Sequence, residues 1–131
     1  MSKFLLPLAL AGAASAATTN LYVTDYGGKV TSISLKGTAG GFRELTPSYT
    51  GFFCGGTAAA PVNPSWLTFD SANRVLYCLD EGFNGNGTLT SSKAAKDGKL
   101  TPIAKLTTYK SPVSGVFYGN GTTSRPYAVA H

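Results

Sequence analysis

A short unit of strand and turn recurs along this chain at a spacing of about fifty residues. A tyrosine inside an apolar run stands at Tyr22, Tyr77 and Tyr127, and the Leu-Thr-Pro sequence of residues 45–47 returns at residues 100–102. A repeat of this length is typical of sheets arranged around an axis, because one sheet cannot bury both of its apolar faces and must stack against its neighbours.

Local composition favours strands over helices throughout the chain. Glycine is abundant, with 16 residues, and charged residues make up only 13% of the sequence. Val, Thr, Tyr, Phe and Leu occur in runs of roughly four to eight residues between turn formers, and no stretch keeps the apolar period of a helix. We therefore predict an all-β fold. Nine strands are expected, at Asn20–Thr24, Lys29–Leu35, Phe42–Leu45, Trp66–Phe69, Arg74–Asp80, Gly87–Lys93, Ile103–Thr107, Gly115–Tyr118 and Tyr127–Ala130.

The repeat count predicts a partial β-propeller. Propellers need roughly 4–8 blades of four strands, and 131 residues at this period supply a little over two. The first unit opens at Leu21 without an inner strand, the second is complete, and residues 112–117 begin a third. Residues 76–79 and 127–130 are apolar on both faces, so both runs are expected to be buried strands. The chain is expected to be the N-terminal part of a longer protein, whose remaining blades would cover its open edges.

The N-terminus is typical of a secretory signal peptide. Lys3 precedes an apolar run at residues 4–10, and Ala-Ser-Ala ends the segment at Ala16. The run is shorter than the ~20 apolar residues that cross a bilayer, and no later segment is apolar enough to span one. The sequence predicts a signal peptide at residues 1–16, a domain at 17–131, secretion, and no membrane partner.

The cysteines and glycosylation motifs are consistent with export. Cys54 and Cys78 are the only two cysteines; in an exported chain they favour a disulfide, with two buried free thiols as the alternative. Two thiols cannot complete a tetrahedral zinc site, even with the single His131, so no metal or other cofactor is expected. Asn86 and Asn120 each begin an Asn-Gly-Thr glycosylation motif, which is also a plain turn sequence.

The charge pattern gives little support to nucleic-acid binding. The net charge of +5 is spread thinly. Lys93, Lys96 and Lys99 form the only local cluster, and they flank a turn at residues 97–98 instead of an aromatic groove. We interpret them as a solvated hairpin tip and expect no nucleic-acid partner. Arg74, in the hairpin before an inner strand, is also expected to be solvated.

Several motifs follow one another in a family-specific order after the predicted signal peptide. They are NPSWLTFD at residues 63–70, NRVLYCLDEG at 73–82, GTL at 87–89 with DGKLT at 97–101, SPVSGV at 111–116, and AVAH at 128–131. In this order they resemble the N-terminal third of the lactonase-type seven-bladed propeller family, which includes 6-phosphogluconolactonases of the cycloisomerase-2 type and carboxy-cis,cis-muconate cyclases. Relatives often carry His-Pro where this chain has Asn63 and Pro64.

The resemblance implies an enzyme that hydrolyses a sugar lactone or closes a muconate into one, with a small lactone or carboxylate as substrate. Such chemistry needs one group to polarise a carbonyl and another to move a proton or activate water. Glu81, Asp80 and His131 are the candidate catalytic residues, since they lie at or just beyond the ends of inner strands. Asp80 and Glu81 could instead cap the turn before Gly82.

Two other functions fit the same sequence. A non-catalytic secreted propeller would use its glycine-rich loops to bind a partner or a polysaccharide. A short secreted protein would instead bury its open faces by forming a dimer. The arginines that family members use to hold carboxylate or phosphate would lie mostly in the remaining blades, so the isolated chain is expected to be inactive.

Overall fold

The computed structural model describes residues 18–38, 40–44, 47–56, 62–83, 85–118 and 127–130. Over these ranges every regular element is a β-strand, as the sequence predicts, and no helix in them has the length and apolarity to cross a bilayer. The strands are β1 (Thr18–Thr24), β2 (Lys29–Thr38), β3 (Gly41–Glu44), β4 (Ser48–Phe53), β5 (Pro64–Asp70), β6 (Val75–Asp80), β7 (Thr88–Ala94), β8 (Leu100–Thr107), β9 (Ser114–Phe117) and β10 (Tyr127–Ala130).

The ten strands form three antiparallel sheets. The second sheet is a four-stranded meander in which β5, β6, β7 and β8 pair in chain order. In the first sheet, β2 pairs with β1 along one edge and with both β3 and β4 along the other. The third sheet consists of β9 and β10. A regular four-stranded meander therefore lies in the middle of the chain, between a branched four-stranded sheet and a two-stranded one.

Strand β4 is the one element that the sequence pattern fails to predict. Proline precedes it at Pro47, and Gly51 interrupts it with a φ of 80°; both residue types are depleted in strands. The strand forms because β3 covers only residues 35–38 of the long β2, which leaves the other half of that edge free to pair. The Thr50 hydroxyl also donates to the carbonyl of Val30 at 2.7 Å, beside the register shift.

The buried core joins the first and second sheets. Cys54 follows β4 and Cys78 lies in β6; both are fully buried and they form a disulfide with their Cα atoms 5.6 Å apart. The bridge that the sequence favours is thus present, and it links the first sheet to the centre of the second. The core comprises Val30, Phe52, Cys54, Leu76, Cys78, Ala94 and Leu100.

The two strands that are apolar on both faces differ in burial. In β6 only Tyr77 is less than fully buried, which confirms the expected inner strand. For β10 the expectation is wrong, because Ala128 and Ala130 are exposed. In the described part of the chain β10 pairs with β9 alone, so its other edge has no partner strand there, and the face that carries Ala128 and Ala130 is exposed.

The repeated tyrosine marks the contact between consecutive sheets. Tyr22 of β1 packs against Phe69 of β5 with ring centroids 5.8 Å apart. Tyr77 of β6 packs in the same way against Phe117 of β9, at 5.4 Å, and Tyr127 stacks on Tyr77 at 5.1 Å. Tyr22 and Tyr77 therefore each contact the strand that opens the next sheet, whereas Tyr127 contacts the sheet before its own, so the repeated tyrosine lies at the contacts between consecutive sheets.

Candidate functional site

Polar side chains gather where β6 ends. Asp80 is the last residue of β6 and Glu81 follows it, while Asn63 directly precedes β5. Because β5 and β6 are antiparallel, the start of β5 lies beside the end of β6, with Pro64 opposite Asp80. Ser111, in the connection from β8 to β9, reaches the same end of the sheet through a backbone hydrogen bond to Glu81.

The Asp80 carboxylate is buried and fully engaged. It is 5% exposed, and its Oδ1 accepts hydrogen bonds from the backbone N–H groups of Asn63 at 2.7 Å and Gly82 at 3.1 Å. Its Oδ2 accepts from the Thr88 hydroxyl at 3.3 Å. A buried carboxylate is stable only with such donors. Asp80 thus holds together the start of β5, the turn after β6 and the start of β7.

Glu81 is held in place but remains accessible. Its backbone N–H donates to the carbonyl of Asn63 at 3.0 Å, and its carbonyl accepts from the N–H of Ser111 at 2.9 Å. The Asn63 side-chain amide donates to Oε2 of the Glu81 carboxylate at 3.3 Å. The side chain is only partly buried. A positioned carboxylate within reach of solvent is what general-base catalysis requires.

The loop between β6 and β7 requires glycine at both ends. Gly82 has a φ of 76°, a conformation that L side chains rarely adopt. At Gly87, a Cβ atom would overlap the ring of Pro112 and the carbonyl of Asp80. The backbone N–H of Gly87 donates to the carbonyl of Tyr109 at 3.2 Å. These contacts fasten the loop that follows Glu81 to the connection between β8 and β9.

The other residues singled out by the sequence fall in different places. His131, Asn120 and the predicted signal peptide at residues 1–16 lie outside the described residues. Asn86 is exposed in the loop that follows Glu81, and its glycosylation stays a prediction. The Lys93, Lys96 and Lys99 side chains are exposed around the turn between β7 and β8. Within the described ranges, no three His, Cys, Asp or Glu side chains converge as a metal site.

The expectation that Arg74 is solvated is wrong. It is partly buried, with a φ of 52°. Its Nε donates to the carbonyl of Ala94 at 3.1 Å and its Nη2 to the carbonyl of Ala95 at 2.9 Å. These two hydrogen bonds to backbone carbonyls at the end of β7 fix the Arg74 side chain.

Asn63 is the member of the site that the sequence reasoning misses. It contacts Asp80 through its backbone N–H and Glu81 through both its carbonyl and its side-chain amide. The signal available in the sequence is its place, directly before the proline that begins an inner strand. There it can orient the Glu81 carboxylate without itself reacting.

Asp80→Asn is expected to lower the free energy of unfolding by about 1–2 kcal/mol, because neutral acceptors form weaker hydrogen bonds than a carboxylate. Urea denaturation would measure the loss. The exposed Asp97→Asn is the matched control and should change stability by less than about 0.5 kcal/mol. Equal stability of the two variants would show that the Asp80 contacts add nothing.

The architecture defines the class of protein. A four-stranded antiparallel meander flanked by related sheets, each contacting the next through its face, is the blade arrangement of a β-propeller. The family model described as lactonase, 7-bladed beta-propeller, matches residues 53–125, more than half of the chain. The chain belongs to this family, as its motifs indicate. No curated protein and no solved structure gives a significant match.

Proposed function

We propose that the protein is a secreted lactonase-type enzyme that hydrolyses a sugar lactone. Membership of the lactonase propeller family supports the reaction class. The observation that carries the proposal is the environment of Glu81. Its carboxylate is accessible and accepts a hydrogen bond from the Asn63 side chain, and two backbone hydrogen bonds hold its main chain in place. The adjacent Asp80 has the opposite environment, since it is buried and engaged by three donors.

In this mechanism Glu81 is the general base. Its carboxylate takes a proton from water as the water oxygen adds to the lactone carbonyl, giving a tetrahedral intermediate. Collapse of the intermediate breaks the ring C–O bond, and a proton passes to the leaving alkoxide. The product is a hydroxy acid. Asp80 acts as a positioning residue, because it fixes the backbone of Gly82, which follows Glu81, and of Asn63, which contacts Glu81.

His131 is the candidate for donating a proton to the leaving oxygen, and the proton that Glu81 took from water then reprotonates the imidazole. It directly follows β10 in the sequence, as Glu81 follows β6. The imidazole titrates near neutral pH, so it exchanges protons readily under physiological conditions.

The substrate is proposed to be an extracellular lactone. The sequence pattern of residues 1–16 supports secretion. A phosphorylated sugar lactone of the cytosol would then not meet the enzyme. A neutral or carboxylated sugar lactone outside the cell is the substrate class that agrees with both the family and the signal sequence.

A substrate panel tests the proposal. Purified full-length protein would be incubated with glucono-1,5-lactone, other five- and six-membered sugar lactones, and carboxy-cis,cis-muconate, with acid release followed by pH-stat above the spontaneous rate. We expect hydrolysis of at least one sugar lactone. Turnover of the muconate alone would make the protein a cyclase. No turnover of any compound would favour a non-catalytic binding protein.

A further inference from the structure

A polar cavity lies at the opposite end of the second sheet from Glu81. It has a volume of about 420 Å³, and Asn20, Tyr22, Phe69, Arg74 and Lys96 contribute to its wall. Arg74 directly precedes β6 and Glu81 directly follows it, so the length of that strand, roughly 20 Å at ~3.3 Å per residue, separates the two sites. The cavity is formed where the first sheet meets the second, beside the contact between Tyr22 and Phe69.

The cationic side of the cavity is preorganised. Two N–H groups of the Arg74 guanidinium are held by the carbonyls of Ala94 and Ala95. A guanidinium has five N–H groups in a planar fork that suits carboxylate and phosphate oxygens. The exposed Lys96 adds a second positive charge, and its backbone carbonyl accepts a hydrogen bond from the Asn20 side chain at 3.1 Å. That bond ties the lysine turn to β1.

One residue of the opposite wall, Tyr22, carries a buried hydroxyl group without a hydrogen-bond partner among the described residues, and Ser32, which is not among the residues that line the cavity, carries another. The two residues are paired across β1 and β2, so they lie on one face of the first sheet. Buried polar atoms in this state are uncommon in folded proteins and call for an explanation.

The Tyr22 phenol is suited to donate a hydrogen bond to an anion. Burial raises its pKa above the usual value, and the nearby Arg74 charge opposes the rise only in part. The hydroxyl therefore stays protonated at neutral pH. The Asp97 carboxylate also lies near, but it is 59% exposed and 3.8 Å from the Lys99 ammonium, which leaves Arg74 and Lys96 to set the local charge.

We propose that this cavity binds a small oxyanion, through the Arg74 guanidinium, the Lys96 ammonium and the Tyr22 hydroxyl, with Phe69 as its apolar wall. The bound group is a carboxylate or a phosphate, since both present the oxygens that this set of donors recognises. The site stands apart from the proposed lactone chemistry and does not depend on it. Because it lies between two sheets, its occupation stabilises their junction.

Binding of two probes to the full-length protein tests the proposal. Inorganic phosphate and gluconate would be titrated separately at low ionic strength, with affinity measured by calorimetry and Tm by circular dichroism. We expect at least one probe to bind and to raise Tm. Binding of phosphate alone identifies a phosphate site and binding of gluconate alone a carboxylate site. Failure of both probes would overturn the proposal.

Two substitutions test whether the probe binds in this cavity. Tyr22→Phe is expected to weaken binding about tenfold, because a hydrogen bond to a charged group is lost, yet to leave the Tm of the probe-free protein unchanged or higher. Lys96→Gln should weaken binding by a similar factor. The exposed Tyr26→Phe and Lys36→Gln are matched controls and should bind as the original protein does.

Two results would contradict the proposal. A Tyr22→Phe protein that loses stability without the probe would show that the hydroxyl is bonded within the protein, which contradicts its assignment as a donor to the anion. Affinities within twofold of the original in both Tyr22→Phe and Lys96→Gln would place the anion elsewhere.

Discussion

Glu81→Gln is expected to lower kcat for lactone hydrolysis by about 10²- to 10⁴-fold, the range that a positioned general base contributes. The amide keeps the size of the side chain and can still hydrogen-bond with Asn63, but it cannot take a proton from water. KM should change little, since the substitution removes a group needed in the transition state more than one needed for binding. Steady-state kinetics on the best substrate of the panel would measure both constants.

Two further variants test whether the loss of activity in Glu81→Gln comes from the loss of a positioned general base. Asp97→Asn makes the same carboxylate-to-amide change in an exposed turn at the other end of the sheet, and it should retain full activity. Asn63→Ala should reduce kcat by about tenfold, as it releases Oε2 of Glu81 from its only described donor. A Glu81→Gln enzyme with a kcat within twofold of the original would remove Glu81 from the mechanism.

Loss of the disulfide is expected to have the largest effect on stability. The double substitution of Cys54→Ala and Cys78→Ala should lower the free energy of unfolding by about 3 kcal/mol, because a bridge across this length of chain restricts the unfolded state. The two cysteines are 24 residues apart in the sequence and fully buried between the first two sheets. Urea denaturation of the oxidised protein and the variant would measure the difference.

Reduction of the disulfide distinguishes the contribution of the S–S bond to stability from the contribution of the packing of the sulfur atoms. Protein that is unfolded and refolded in dithiothreitol should lose most of the same stability, whereas the double alanine variant should not respond to the reductant. If the original protein is equally stable with and without dithiothreitol, the bridge makes no contribution to folding.

Strands that can be recognised from their own residue types are predicted well from this sequence. Strand β6 is apolar on both faces and is buried on both. Strand β10 carries the same signal but is half exposed, because burial depends on what packs against a strand as well as on its composition. Strand β4 carries a weak signal and forms because β2 offers it an unpaired edge.

The candidate site is predicted only in part, for a related reason. Asp80 and Glu81 are found because they end an apolar strand. The contributions of Asn63 and Ser111 depend on backbone groups brought together by the pairing of β5 with β6 and by the return of the chain after β8. Arg74 likewise binds carbonyls about twenty residues away in the sequence. A backbone N–H or carbonyl group is the same whichever side chain its residue carries. Hydrogen bonds to such groups therefore cannot be predicted from a pattern of residue types.

The aromatic contact between Tyr77 and Phe117 has a consequence for how the molecule is built. The first and second sheets each present a tyrosine ring that packs against an aromatic ring from the sheet synthesised after it. Assembly can therefore proceed in the order of translation, with every finished sheet acting as a template for its successor. A substitution that removes one of these rings would weaken the junction between that sheet and the next.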